Sequence, residues 1–312
     1  MKAIKYFLTA VILFLCGCSS SVTEKEEGIN IITTNFPPYD FSRQVAGENA
    51  EVNLLLPPGS DAHSFEPSPK DIINIQNSDL FIYTGGESDS WIDDILSTID
   101  TSGTKIIKLM EVCETVVEEI PEGMQAEEEE NGHGEKDEYD EHVWTSPKNA
   151  VLITKAISES LCEIDAENAD IYKENADKYI SRLEELDDEF ESIVKTSSGN
   201  TLIFADRFPF RYFTEAYGLK YYAAFPGCAE ETEPDIATVT FLINKVREER
   251  IPVVFYIEFS NHKLADAISA ETGAKAMLLH SCHNVTKEEF NSGITYLELM
   301  KNNAEALKEA LN

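Results

Sequence analysis

The sequence predicts an α/β fold of two lobes, each a mostly parallel sheet flanked by helices, joined by a long helix. Short apolar segments alternate with amphipathic segments near the start of the chain and again in its last third, which is typical of parallel sheets covered by helices. Between these regions, apolar residues recur every three or four positions from Ala169 to Ile193. A helix with this pattern that begins at Asp165 would be ~45 Å long, enough to join two lobes. A coiled-coil partner helix is the alternative.

The first lobe is predicted over residues 29–145. Its apolar runs indicate four strands, at Ile29–Asn35, Val52–Leu56, Leu80–Thr84 and Lys105–Leu109. Helical patterns lie between them, at Asp40–Ala46, Pro69–Asn77 and Ser90–Ile99. The stretch Phe36-Pro-Pro-Tyr39 is predicted to be a turn.

Residues 146–197 are predicted as helices and residues 198–312 as the second lobe. Ser146 and Pro147 are a suitable N-cap and first residue for a helix that runs to about Cys162, and Asp165 begins the long helix. The second lobe then repeats the alternation. Its strands are expected at Leu202–Ala205, Lys220–Ala224, Val253–Ile257 and Lys275–Leu279, and its helices at Phe210–Tyr217, Asp235–Arg250, His262–Thr272 and Glu289–Leu311.

The first 28 residues predict export and lipid attachment. Lys2 and Lys5 precede an apolar run too short to span a bilayer, as in a signal peptide. Gly17 immediately before Cys18, with Leu15 three residues before that cysteine, fits a bacterial lipobox. Residues 1–17 are therefore predicted as a signal peptide, and residues 18–28 as a lipidated tether that anchors the protein outside the cell membrane. An ordinary secreted protein is the alternative.

The charge of the chain excludes one class of partner. With 25 Lys and Arg against 58 Asp and Glu, the formal net charge is -33, which argues against nucleic acid and suits a protein that attracts cations. Residues 118–141 are dominated by acids and are predicted to form a mobile acidic loop. The loop, with His133, is either a solvated insert or a weak collector of cations.

Three histidines occupy positions where ligand sites form in α/β proteins. His63 follows the second predicted strand, His142 precedes a capped helix, and His280 follows the last predicted strand. Imidazole suits Zn²⁺, and Mn²⁺ when carboxylates join it. By contrast, His262 is interpreted as a cap or solvated residue. The three histidines together predict a metal site in a cleft.

The sequence resembles the zinc/manganese ABC-transporter solute-binding lipoproteins of cluster A-I over nearly the whole mature chain. The resemblance is carried by Thr33-Thr-Asn-Phe-Pro-Pro-Tyr39, Asp61-Ala-His-Ser-Phe-Glu-Pro-Ser-Pro69, Glu141-His-Val-Trp-Thr-Ser-Pro-Lys-Asn149, Tyr212-Phe213, Tyr217-Gly-Leu219, Glu233-Pro234 and Glu271-Thr-Gly-Ala-Lys275. It implies two lobes on a rigid backbone helix, a metal in the cleft, and delivery to a membrane permease driven by an ATPase. A monomer and no enzymatic activity are expected.

By the same resemblance, His63 and His142 match the first two ligands, and His280 falls where a ligating aspartate is usual. The third ligand, usually histidine, would lie five residues before Tyr212, at Arg207. Guanidinium cannot bind a cation, so Arg207 is expected to form a salt bridge or to pair with an anion. Water or a carboxylate would complete the shell, with Asp206, Glu230 and Glu231 as candidates. Three imidazoles favour Zn²⁺ over Mn²⁺.

Four cysteines follow Cys18 in a compartment where disulfides persist. Because some zinc-binding relatives carry a disulfide in the second lobe, a bond between Cys228 and Cys282 is expected. Thiolate ligation, or His283 as a ligand, is the rival interpretation. Cys113 and Cys162 either pair or stay reduced.

Two other functions remain open from the sequence. One is a surface adhesin or host-interaction lipoprotein on the same scaffold, in which the metal has a structural role. The other is a metallohydrolase with Glu258 as base.

Overall fold

Two four-stranded parallel sheets form the centres of the two lobes in the computed structural model, which describes residues 28–61, 64–124, 138–229 and 234–312. The first sheet has the order β2-β1-β3-β4 and the second the order β6-β5-β7-β8. The strands are β1 Ile29–Thr33, β2 Ala50–Leu54, β3 Leu80–Tyr83, β4 Lys105–Lys108, β5 Thr201–Phe208, β6 Lys220–Pro226, β7 Val253–Tyr256 and β8 Lys275–Leu278.

The helices cover the faces of the sheets and connect the lobes. They are α1 Phe36–Ala46, α2 Pro69–Gln76, α3 Ser90–Leu96, α4 Leu109–Val112, α5 Pro147–Ile164, α6 Ala169–Thr196, α7 Arg211–Tyr217, α8 Ile236–Glu249, α9 Lys263–Thr272, α10 Lys287–Ser292 and α11 Tyr296–Leu311. Short 3-10 turns lie at Glu87–Asp89 and Val143–Thr145. The predicted fold class is confirmed.

Two local predictions were wrong. Helix α1 begins at Phe36, so the stretch predicted as a turn is its first turn; proline fits there because the first helical N–H groups have no intrahelical partner. The last predicted helix is two helices. Gly293, with φ of 77°, ends α10, and Thr295 begins α11 with a capping box.

The long helix α6 has 28 residues, which corresponds to about 42 Å. It packs on α5, α1 and α11, and an apolar cluster continues from β1 through these helices to β5. The fully buried Asp40 of α1 accepts hydrogen bonds from Tyr179 Oη of α6 (3.2 Å) and from Tyr296 N of α11 (2.9 Å). These contacts fasten the two lobes to the same central helix.

The carboxyl ends of the strands in both lobes lead to loops that meet in a cleft. Residues 55–61 follow β2, residues 227–229 follow β6, residues 257–260 follow β7 and residues 279–285 follow β8. Ligand sites in parallel α/β sheets form at these ends. Across residues 28–61, 64–124, 138–229 and 234–312, no helix combines the length and apolar character needed to cross a bilayer.

Candidate metal centre

His142 is held by a carboxylate two residues before it. The segment just before His142 is held by an antiparallel β-bridge between Val117 and Tyr139. Asp140 Oδ1 accepts a hydrogen bond from His142 N at 2.8 Å and lies 3.2 Å from His142 Nδ1. A carboxylate at Nδ1 favours the tautomer protonated there, in which Nε2 carries the lone pair that a metal requires. Asp140 therefore holds the His142 ring in an orientation that leaves Nε2 available to a ligand.

The surroundings of His142 also raise its pKa. Burial alone would lower it, but the Asp140 carboxylate opposes this through its charge and hydrogen bond, and Glu141 and Glu118 add to the effect. The resulting pKa lies above the ordinary value of 6.5. Protons therefore compete with a metal for this imidazole at a higher pH than for an ordinary histidine.

Several acids near His142 are buried, which corrects the prediction of a mobile loop over residues 118–141 at its two ends. Asp140 and Glu141 are 3% and 1% exposed. Burial raises the pKa of Glu118, and burial together with the Glu141 charge raises the pKa of Asp89 to about 6. Both ends of the segment are held by hydrogen bonds, since Glu141 accepts two from Ser88 and the half-buried Glu118 accepts one from Gly227 N. Residues 125–137 lie outside the described residues.

A small cavity of about 30 Å³ lies between the lobes beside His142. The loop after β2 and His142 contribute from the first lobe, and residues of the second lobe form the rest. Its lining residues are Ser60, Asp61, His142, Arg207, Pro209, Gly227, Ile257, Glu258, Phe259, Ser281, His283 and Asn284. Two imidazoles, two carboxylates and one guanidinium thus share this cavity.

His142 and His283 face the cavity as neighbours. Their ring centroids are 5.5 Å apart, with the planes at 86°. Two imidazoles bound to one tetrahedral zinc have ring centres about 5 Å apart, given Zn–N distances of about 2.0–2.1 Å. The spacing of the two rings is therefore close to that of a shared metal.

The His283 loop is docked against the first lobe by backbone and aromatic contacts. Trp144 Nε1 donates to Ser281 O at 2.9 Å, and the Trp144 ring lies 4.9 Å from the His283 ring. Phe36 N donates to His283 O at 3.1 Å. Asn284 Nδ2 donates to two carbonyls of the loop after β2. The cavity is therefore closed by contacts that join the two lobes.

Arg207 forms the salt bridge that the sequence predicted as one possibility. Its Nη2 lies 3.0 Å from Asp61 Oδ2, so a side chain of β5 reaches the loop after β2. The pairing of β5 with β6 shifts register between Phe204 and Arg207, and such an irregularity redirects side chains at the end of a strand. Asp206 accepts hydrogen bonds from Arg207 N and Ile257 N and does not line the cavity.

His280 is buried and does not line the cavity. Its Nδ1 accepts a hydrogen bond from Cys282 N at 2.9 Å and is 3.6 Å from Glu258 Oε2. Its backbone N–H and C=O both bond to the Asn303 side chain. Glu258 lines the cavity and accepts hydrogen bonds from Ser281 N and Oγ, whereas His280 is absent from the lining. The structure thus brings His142 together with His283 at the cavity and places His280 beside Glu258, Cys282 and Asn303.

The predicted disulfide between Cys228 and Cys282 is not formed. Both residues are free thiols, as are Cys113 and Cys162. Cys282 is fully buried in the apolar cluster of the core, whereas Cys228 lies beside Glu141 and His142. The two thiols are held apart by the different surroundings into which their loops place them.

Several predicted positions lie outside the described residues: Cys18 with the signal peptide, His63, His133, Glu230 and Glu231. The neighbours of His63 are described, and Asp61 lines the cavity. His262 is exposed at the start of α9, where its Nδ1 lies 2.9 Å from Asp266. This contact agrees with its interpretation as a surface residue.

Neither the orienting role of Asp140 nor the identity of Asp61 as the partner of Arg207 was predicted from the sequence. The sequence does contain a signal for the role of Asp140. Asp140 precedes His142 by two residues, a spacing that allows its carboxylate to contact the His142 ring. The contact between Asp61 and Arg207 joins residues 146 positions apart, and nothing local indicates it.

Two parallel-sheet lobes with an imidazole- and carboxylate-lined cavity between them define the class of two-lobed metal-binding proteins. The model of the family described as zinc-uptake complex component A, periplasmic, matches residues 31–310. The chain belongs to this family.

Individual relatives agree with this assignment. The chain is 31% identical over 313 residues to the zinc-binding lipoprotein AdcA of Streptococcus pneumoniae, covering 99% of this chain and 61% of that protein. It is 30% identical over 317 residues to the high-affinity zinc uptake system protein ZnuA of Bacillus subtilis, covering 98% and 96%. The crystal structure of the Zn(II)-bound ZnuA-like domain of S. pneumoniae AdcA superimposes with a TM-score of 0.74 at 30% identity, covering 91% of this chain and 99% of that one.

Proposed function

We propose that this protein captures Zn²⁺ outside the cytoplasm and delivers it to an ABC-type membrane permease driven by an ATPase. The observation that carries the proposal is the pair of imidazoles, His142 and His283, 5.5 Å apart in a cavity between two lobes. The similarity to a zinc-binding lipoprotein and to a zinc uptake system protein supports Zn²⁺ as the metal. Mn²⁺ is the second candidate, since it prefers more oxygen ligands than this cavity offers.

The ligand set that we propose begins with His63 and His142. His63 is two residues from Asp61, which lines the cavity, and its motif is the strongest part of the resemblance. For the second lobe, the sequence favoured His280, but the position of His283 in the cavity makes it the better candidate. Glu258 lines the same cavity and supplies carboxylate charge nearby.

Capture requires no chemistry on a substrate. Imidazole nitrogens displace water from the metal, and binding weakens as protons occupy these nitrogens. Release to a permease would follow separation of the contacts that close the cavity, among them the ion pair between Arg207 and Asp61. We propose a monomer anchored by lipid on Cys18, with no nucleic-acid partner.

The experiment is calorimetry of Zn²⁺ binding to the purified protein and to a variant carrying His63→Ala and His142→Ala. We expect the double variant to lose at least about 100-fold in affinity, or ~2.7 kcal/mol. His262→Ala is the matched control, because this histidine is exposed on α9. Unchanged affinity in the double variant would place the metal elsewhere.

A hydrolase remains the alternative of a different class, because Glu258 does line the cavity. Its oxygens already accept hydrogen bonds from Ser281, which reduces its capacity to accept a proton from water. Incubation of the zinc-loaded protein with generic esters tests this function, and steady turnover would support it. An adhesin function is tested by deletion, since loss of an adhesin would leave zinc uptake normal.

A further inference from the structure

Three side chains of different ligand type, one of them His142, lie close together. One ligand atom each from Glu141, His142 and Cys228 lies within 4.8 Å of the other two. Glu141 and His142 precede α5, whereas Cys228 follows β6 in the second lobe. Carboxylate, imidazole and thiolate thus converge from two lobes.

Close backbone packing builds this group. A side chain at Gly227 would place its Cβ 3.0 Å from His142 Cε1 and 3.1 Å from Phe208 O, so a larger residue would push these neighbours away by a few tenths of an ångström. Gly227 N also donates to Glu118 Oε1 at 2.9 Å. The loop is therefore fixed against the ring, and the next residue along the chain is Cys228.

The Glu141 carboxylate is fixed by the first lobe, through hydrogen bonds from Ser88. Its Oε2 accepts from Ser88 N at 3.0 Å, and its Oε1 accepts from Ser88 Oγ. A Cβ at Gly86 would come within 2.2 Å of Glu141 Oε2. A carboxylate has about four lone-pair positions, so these two hydrogen bonds leave capacity for a metal.

The local charge favours a cation. The buried Asp140 and Glu141 and the half-buried Glu118 surround His142. In the described parts of the chain, neither Glu118 nor Glu141 lies within 4.0 Å of a lysine or arginine nitrogen. Negative charge in a buried setting is costly when no lysine or arginine balances it, and a bound cation would compensate it.

We infer that Cys228 is a sulfur ligand of the metal that binds at His142, with Glu141 as an oxygen ligand. The inference rests on the proposed function and deepens it. Coordination releases the thiol proton to solvent and leaves thiolate sulfur on the metal. Ligand atoms of a tetrahedral zinc site are about 3.3–3.7 Å apart, so the three atoms would need to approach one another by at most about 1.5 Å, which side-chain rotations can supply.

A sulfur ligand has a consequence for the choice of metal. Thiolate suits Zn²⁺ and disfavours Mn²⁺, which prefers oxygen. Arg207 stands where the resemblance implies an imidazole, and Cys228 supplies a donor in its place. A Cys228 ligand would thus make the site prefer Zn²⁺ over Mn²⁺.

The experiment uses Co²⁺ as a spectroscopic probe in the purified protein with its thiols reduced. Thiolate bound to Co²⁺ gives an intense sulfur-to-metal charge-transfer band in the near ultraviolet, which imidazole and carboxylate do not give. We expect the band in the wild type and in Cys162→Ser, a matched control for another partly exposed free cysteine. We expect Cys228→Ser to lack the band and to lose at least about tenfold in its preference for Zn²⁺ over Mn²⁺.

X-ray absorption of the zinc-loaded wild type provides a test that does not depend on a variant folding. A sulfur scatterer at about 2.3 Å supports the inference. Tight zinc binding with nitrogen and oxygen scatterers alone overturns it, while the proposed function stands. Failure of the wild type to bind Zn²⁺ in calorimetry would overturn both.

Discussion

Replacing Asp140 by asparagine tests the geometry around His142 directly. The side chain keeps its size, but it loses the negative charge that lies 3.2 Å from His142 Nδ1. Outer carboxylates of this kind typically change metal affinity by about 10–100-fold, or ~1.4–2.7 kcal/mol. Because Asp140 is only 3% exposed, solvent screens little of this effect, and we expect a loss in that range at pH 8.

The same variant should respond differently to pH. Asp140 helps to raise the pKa of His142, so the wild type begins to lose affinity to proton competition above pH 6.5. Without the carboxylate, the pKa falls, and competition begins at lower pH. The difference in zinc affinity between wild type and variant should therefore shrink as the pH is lowered from 8 to 6.

Calorimetry with Zn²⁺ at both pH values measures these two effects. Asp165→Asn is the matched control, because the Asp165 carboxylate likewise accepts hydrogen bonds within the chain but lies at the junction of α5 and α6. The control should bind zinc within about twofold of the wild type, which corresponds to ~0.4 kcal/mol. An Asp140→Asn protein that binds as tightly as the wild type at pH 8 would refute the orienting role.

Three further predictions follow from the cavity. His283→Ala should weaken Zn²⁺ binding by at least about tenfold, whereas His280→Ala should chiefly lower the unfolding temperature; the reverse result in calorimetry would restore the original ligand assignment. Arg207→His should tighten Zn²⁺ binding by about tenfold, because it places an imidazole where a guanidinium now stands; weaker binding would show that its ion pair matters more. Trp144→Phe should cost about 2–3 kcal/mol of unfolding free energy in a denaturant titration, because the buried carbonyl of Ser281 loses its donor and the smaller ring leaves a cavity.

Strand and helix positions could be predicted closely where the pattern is local. The predicted strand Leu80–Thr84 and helix Pro69–Asn77 each differ from the structure by one residue at one end. The prediction for β2 was displaced by two residues, to Val52–Leu56, because Leu55 and Leu56 continue the apolar run beyond the paired strand. Pairing with β1, from Ile29 with Ala50 to Thr33 with Leu54, sets the limits of this strand.

The ligands of the second lobe depend on geometry that the sequence does not display. His280 and His283 are both close to the end of β8, and either suits a ligand by position. Between them, Cys282 adopts φ of 64°, a left-handed conformation that turns the loop. The turn buries His280 beside Asn303 and brings His283 to the cavity.

The sequence by itself determined the two-lobed α/β class and the family, and it predicted a metal-binding role for His142 and an export signal. These properties depend on apolar periodicity and contiguous motifs, which are local. Only the tertiary structure decided that Arg207 binds Asp61, that Cys228 lies beside His142 rather than in a disulfide, and that His283 lines the cavity. Each of these contacts joins residues far apart in the chain, and their approach depends on how the loops of two lobes pack together.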